Sequence, residues 1–167
     1  AMGVEENGGY LGNRNSPADS SNKARTFAVI DAAIANDMYV IVDWHTHPAE
    51  DFQGQAIAFF REVASKYGTN PHIIYEIYNE PLNISWVNVL KPYANAVIGE
   101  IRAIDPDNLI IVGTPNWSQD VDIAANSPIT GFKNFSLNFR IFLSFAVTVF
   151  DLNKLPKSPV ISLLYKS

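Results

Sequence analysis

Cysteine is absent from the chain, which excludes disulfides, thiolate catalysis and cysteine-ligated zinc. Basic residues are few, 12 Lys and Arg against 17 Asp and Glu. The resulting net charge of −5 gives neither a nucleic acid nor an anionic membrane a basic patch to hold, so neither partner is expected. Histidine is scarce, three in all, so a closed metal-ligand set is hard to build. No metal and no cofactor is expected. No glycine-rich phosphate loop opens any helical segment, which removes the main signature of a nucleotide-binding sheet. No signal-like segment precedes Ala1, and Ala1-Met2-Gly3-Val4 reads as the tail of a strand already under way. The chain is expected to be a piece of something longer. Glutamate, finally, does not occur after Glu100.

What is present is a globular composition: 167 residues, 47% hydrophobic and 17% charged, enough for one ordinary domain with a core. It is organised around Ile73-Ile74-Tyr75-Glu76-Ile77-Tyr78-Asn79-Glu80-Pro81. The body of this stretch is apolar, β-branched and aromatic, as suits a buried strand of a parallel sheet. Its end is polar. Pro81 stops the strand and biases Glu80 towards extended backbone. A carboxylate leaving the carboxyl end of a parallel strand is where barrels and open sheets place their chemistry.

On either side the chain alternates. Gly3 to Pro17 reads as loop, with turn signals at Asn7-Gly8-Gly9 and Gly12-Asn13. Ser20-Ser21-Asn22 offers helix caps, and Phe27, Ile30, Ile34 and Met38 form one apolar helical face. Tyr39 to His45 is a buried-type strand. Ile57, Phe60, Val63, Ala64 and Tyr67 stripe a second helix that Gly68 ends. Leu90, Ala94, Val97, Ile98, Ile101 and Ile104 stripe a third, with Pro92 marking a kink or a start. Leu109 to Gly113 is the next strand, and a short helix follows from Gln119 to Ala125. Such alternation predicts a parallel sheet. His45, Glu80 and Trp117 all fall at strand ends on one side, which favours part of a (β/α)8 barrel, about strands 2 to 5 with their helices, over a dinucleotide-binding sheet.

From about Gly131 the character changes. Phe132, Phe135, Phe139, Phe142, Phe145 and Phe150 follow no clean period, and Asp151 is the only acidic residue. Residues 1–131 are therefore expected to form the partial barrel. Residues 132–167 are expected to be a divergent tail that need not belong to it, either a capping segment or, as the preferred reading, translated non-coding sequence.

Alternation along a strand puts Glu76, Tyr78 and Glu80 on one face, and Asp43 with His45 on another. Glu76 then lies about 13 Å below Glu80 at about 3.3 Å per residue. That exceeds the separations of about 5–5.5 Å and 6.5–9.5 Å used by retaining and inverting glycosidases. Glu76 is therefore read as a buried carboxylate needing a donor, not as a catalytic partner.

Tyr75 to Pro81, preceded by Val42-Asp43-Trp44-His45 and followed by Ile111 to Val121, resembles glycoside hydrolase family 5, in particular the secreted endo-β-1,4-glucanases (cellulases). The resemblance covers Ala1 to about Gly131 in order and spacing. It implies a (β/α)8 TIM barrel that cleaves β-1,4-glucan with retention, is secreted, and is monomeric if complete. By the same resemblance Glu80 matches the acid/base, Asn79 the residue that binds the sugar 2-hydroxyl, His45 a histidine of that subsite, and Trp117 an aromatic platform on the leaving-group side. The departures are equally specific. The family's nucleophile is a later glutamate, which this chain lacks, as it lacks the sixth-strand histidine and tyrosine, the eighth-strand tryptophan and an arginine just before Ala1. The chain alone is therefore expected to be inactive.

Two other classes compete. His45-Thr46-His47 could share a zinc in a metal-dependent barrel hydrolase, although His72 belongs at the opposite end. A non-catalytic carbohydrate-binding remnant could use Trp117 and Trp44. Trp44 reads as core, because it alternates away from His45. His47, beside Pro48, reads as a solvated loop residue, and Tyr10 as a tyrosine packing on its own loop. Asp120 and Asp122 sit where a helix dipole favours acids. Asn83, Asn116 and Asn134 begin tripeptides of the N-glycosylation type, a pattern common by chance.

Overall fold

The computed structural model describes residues 1–6, 8–12 and 21–137. Five strands form one parallel sheet in chain order: β1 (Met2–Gly3), β2 (Val40–His45), β3 (Ile73–Glu76), β4 (Ile110–Val112) and β5 (Phe135–Leu137). Three long helices cross between them: α1 (Ser21–Ala35), α2 (Gln53–Tyr67) and α3 (Lys91–Arg102). Parallel neighbours in sequence order, each joined through a helix, are the layout of part of a (β/α)8 barrel.

The register assigns the two faces of the sheet. Val42 pairs with Tyr75 and Asp43 with Glu76. Trp44 and Tyr75 pack against Phe59 and Phe60 of α2, which makes their face the helical one. Asp43 and Glu76, each one residue away, therefore share the opposite, barrel-interior face. Both are buried. The core lies between sheet and helices, with Met2, Trp44, Phe59, Phe60, Tyr75 and Val97 all fully enclosed. Each such large side chain contributes about 1.5–3 kcal/mol through burial. Tyr10 joins this core edge-on to Trp44 and Phe59, so it packs on the sheet layer, not on its own loop.

Local chemistry explains where the elements stop. At the end of α1, Asp37 takes a left-handed φ of 55°, Asp37 N–H donates to Ile34 O, and Met38 N–H donates to Ala33 O. This is a Schellman close made with aspartate where glycine is usual. It swings Met38 off the expected apolar face, and Met38 is 58% exposed. Gly68 follows α2 with an ordinary helical φ of −60°. Its reason is close approach: a Cβ there would lie 2.5 Å from Ala64 O and 2.9 Å from Asp105 Cβ. Pro92 stands in the first turn of α3, directly after a π-helical turn over Trp86–Leu90 capped by Ser85. Proline has no N–H to donate, and helix starts tolerate that loss.

One expectation is corrected. β3 ends at Glu76, not at Pro81; its ladder continues only through Ile77 N–H to Ile111 O before the chain bends. The apolar run outlasts its pairing partner, because β4 is only three residues long. Tyr78 consequently does not share a face with Glu76: it packs edge-on against Tyr93 of α3. Beyond Gly131 the sheet continues, since β5 pairs with β4 over Phe135, Ser136 and Leu137. Phe139, Phe142, Phe145, Phe150 and Asp151 lie outside the described residues, as do Asn13, Pro17 and Ser20.

Candidate active site

The carboxyl ends of β2, β3 and β4 each release a loop, and these loops hold one another. His45 closes β2 with its side chain half exposed. Its Nδ1–H donates to Asp43 Oδ2 at 2.7 Å, so Nε2 is the ring atom left to face outward. That hydrogen bond to Asp43, opposed by partial burial, raises the His45 pKa above its ordinary value. Thr46 is buried and donates to Glu5 at 2.5 Å, tying the β2 end to the loop after β1.

Past β3, Asn79 is 3% exposed and Glu80 partly exposed. The carbonyl of Glu80 accepts from His47 Nδ1 at 2.9 Å. Tyr78, two residues earlier, turns its hydroxyl to the His47 carbonyl and the Glu50 carboxylate. Burial and then the hydrogen bond to Glu50 push that phenol well above its ordinary pKa, so it stays protonated and donates. Tyr93 Oη donates to Ile77 O at 2.8 Å from behind. His47 is thus exposed but engaged, which corrects its reading as a merely solvated residue.

After β4 the backbone does something the sequence did not announce. Asn116, Trp117 and Ser118 all take left-handed φ values of 57°, 56° and 64°. Each such residue without glycine carries roughly 1–2 kcal/mol of strain. The turn persists because it is tied down: Asn116 N–H donates to Leu82 O at 3.1 Å and Trp117 N–H to Pro81 O at 2.7 Å. Trp117 emerges 37% exposed. The Trp44 ring, in contrast, is fully buried among Tyr10, Phe59 and Phe60.

The structure therefore links the loops bearing Glu80 and Trp117 by two backbone hydrogen bonds, and links the Glu80 loop to the β2 end through His47. Asn79 is enclosed within the same loop. What sequence reading missed is the bracing: His47, Tyr78 with Glu50, and the left-handed turn. The adjacency of His47 to the strand-end His45 was the one available signal. Among the described residues no three His, Asp or Glu side chains gather as a metal site would require. His45 and His47 instead use their Nδ1 atoms on Asp43 and on the Glu80 carbonyl.

A parallel sheet in chain order, crossed by helices and with Asn79, Glu80, His45 and Trp117 at its carboxyl edge, has the layout of part of a (β/α)8 barrel. Comparison with known proteins specifies it further. The family model of cellulase (glycosyl hydrolase family 5) matches residues 1–141, and the chain belongs to that family. It is 59% identical over 142 residues to Endoglucanase Z of Dickeya dadantii, covering 85% of this chain and 32% of that protein. A solved structure from Cytophaga hutchinsonii superposes with a TM-score of 0.76 at 47% identity, over 83% of this chain and 44% of that one. The catalytic domain of Thermobifida fusca endoglucanase Cel5A gives 0.71 at 35% identity, over 83% and 46%. The chain thus spans about a third of the curated relative and less than half of either solved chain. The match to residue 141 also runs past Gly131, in step with β5.

Proposed function

We propose that this chain carries the acid/base half of a retaining hydrolase of internal β-1,4-glucosidic bonds in cellulose-type polysaccharides. One observation carries the reading: Glu80 sits on a loop at the carboxyl edge of the sheet, next to buried Asn79, and that loop is braced by both neighbouring loops. A carboxylic acid held there would protonate the glycosidic oxygen as the bond breaks, then as carboxylate would remove a proton from the water that completes the cycle. Asn79 would fix the sugar 2-hydroxyl, His45 would line the same subsite, and Trp117 would stack on the sugar of the leaving group.

The nucleophile is the other half. A retaining mechanism needs a second carboxylate about 5–5.5 Å from the first. This chain has no glutamate after Glu100, so the later-strand glutamate of the family has no counterpart in it. Asp43 is engaged with His45, and Glu76 lies beside Asp43 in the sheet, also buried. Without a nucleophile no glycosyl-enzyme intermediate forms, and the chain by itself does not turn over. A polymer as large as cellulose places the activity outside the cell, as a secreted protein, and the complete barrel would act as a monomer.

The test has two arms. The chain alone, assayed for reducing ends on carboxymethyl cellulose, should release none; turnover that Glu80→Gln abolishes would overturn the division of labour. Residues 1–137 grafted in place of the matching segment of Endoglucanase Z should support hydrolysis with retention, and Glu80→Gln should lower it by about 10²–10⁴-fold. A graft indifferent to Glu80→Gln would remove Glu80 from the mechanism. Binding of cello-oligosaccharides by an inactive graft would favour the non-catalytic reading, for which buried Trp44 is of no use.

A further inference from the structure

Three successive carbonyls, those of Glu80, Pro81 and Leu82, each accept a hydrogen bond from outside their own loop. Two of the donors are backbone amides of the left-handed turn, Trp117 and Asn116. The third is the ring of His47. A carbonyl oxygen can only accept, so the proton must sit on Nδ1 of His47. His47 also meets the same stretch a second time, since its own carbonyl is approached by the hydroxyl of Tyr78. One residue therefore spans from the β2 loop to positions 78 and 80 at once, by main chain and by side chain.

That double attachment distinguishes His47 from an incidental surface contact. A ring touching one carbonyl can leave without consequence. A residue fixed at both ends limits the rotation of the peptide planes between Tyr78 and Glu80, and with it the direction in which the Glu80 side chain departs. His47 is itself exposed, so it adds little to the core. We propose that His47 is a positioning residue for the Glu80 carboxylate, acting through the Glu80 carbonyl and the Tyr78 hydroxyl. Its meaning for catalysis rests on the reading of Glu80 as acid/base, whereas its effect on the geometry of Glu80 does not.

The experiment reads that geometry without turnover, on the full chain. Histidine labelled with ¹⁵N and glutamate labelled with ¹³C at the carboxyl are followed by NMR at about pH 8, where an ordinary imidazole is neutral. The Glu80 resonance is assigned by its loss in Glu80→Gln. His47 should show the Nδ1–H tautomer. His47→Ala should shift the Glu80 carboxyl resonance, and His47→Asn should return it, because the asparagine Nδ2 occupies the place of the imidazole Nδ1. Near-UV circular dichroism should stay unchanged in both. A His47 in the Nε2–H tautomer, a Glu80 resonance indifferent to His47→Ala, or loss of the near-UV signal in that variant would each overturn the proposal. Failure here leaves the role of Glu80 to be judged by the grafted enzyme, and an inactive Glu80→Gln graft says nothing for or against His47.

Discussion

His45 and Asp43, two residues apart on β2, are joined by a hydrogen bond of 2.7 Å from Nδ1 to Oδ2. Alternation along the strand puts both side chains on the barrel-interior face, so the contact needs no loop rearrangement. It fixes the ring and leaves Nε2 for whatever occupies the strand ends.

A pH signature follows from that pair. The Asp43 hydrogen bond raises the His45 pKa, so the folded chain holds the imidazolium proton more tightly than the unfolded chain. The stabilisation is therefore fully present below the unfolded value of about 6.5 and is lost as pH rises through the raised folded value. Asp43→Asn should lower the His45 midpoint towards about 6.5, read from its ring resonances in an NMR titration. An unchanged midpoint would mean that Asp43 does not govern the ring.

Gly113 makes a second prediction, one of packing. A Cβ at this position would lie 2.6 Å from Pro81 Cδ and 2.8 Å from Tyr78 O. The strand end of β4 thus allows the Glu80 loop to approach only because nothing projects from residue 113. Gly113→Ala should cost about 1–3 kcal/mol, as overpacking does. Urea denaturation should show it as a lower midpoint at unchanged slope. Tolerance of alanine without loss would mean that the loop has room to move.

Much of this architecture was legible in the sequence, for identifiable reasons. Val40 to His45 and the apolar stripes of α2 and α3 announce themselves through long continuous periods, and the polar strand ends mark one edge of the sheet. The apolar run outlasts β3 because Ile77 and Tyr78 stay buried after pairing has ceased, Tyr78 by packing on Tyr93 and by its hydroxyl on Glu50 of the Ala49–Phe52 turn. β5 is three residues long, too short for any period to show. The turn at Asn116 contains no glycine, so its left-handed backbone has no composition signal. The bracing by His47 depends on a contact between residues 33 apart in sequence, which no local pattern encodes.

At the opposite edge of the sheet Arg102 performs the equivalent tying function. Its guanidinium donates to the carbonyls of Asp105, Asn108, Lys133 and Asn134, at 3.0, 2.7, 3.2 and 2.9 Å from the terminal nitrogens. One side chain at the end of α3 thereby joins the entry to β4 with the entry to β5. Arg102→Ala should cost about 3 kcal/mol, near the top of the range for hydrogen bonds to a charged group. Arg102→Lys should recover only part of this, since one ammonium cannot reproduce the planar fork. Thermal or urea unfolding of both variants checks the order; lysine matching arginine would show that charge alone suffices.

Ser118 offers a change in the other direction. It is the third left-handed residue of its turn, at φ 64°, and its buried hydroxyl has no hydrogen-bond partner among the described residues. Both features oppose folding, the first by roughly 1–2 kcal/mol and the second by about 1–3 kcal/mol. Ser118→Gly removes both. It adds back about 0.4–1 kcal/mol through the greater freedom of glycine in the unfolded chain. The balance is stabilising by roughly 1 kcal/mol or more, and the urea midpoint should rise. The same relief loosens the segment whose amides at Asn116 and Trp117 hold the carbonyls of Leu82 and Pro81. In the grafted enzyme Ser118→Gly should therefore raise stability while lowering hydrolysis. A variant gaining both would show that the strained turn serves packing and not the placement of Trp117 beside the Glu80 loop.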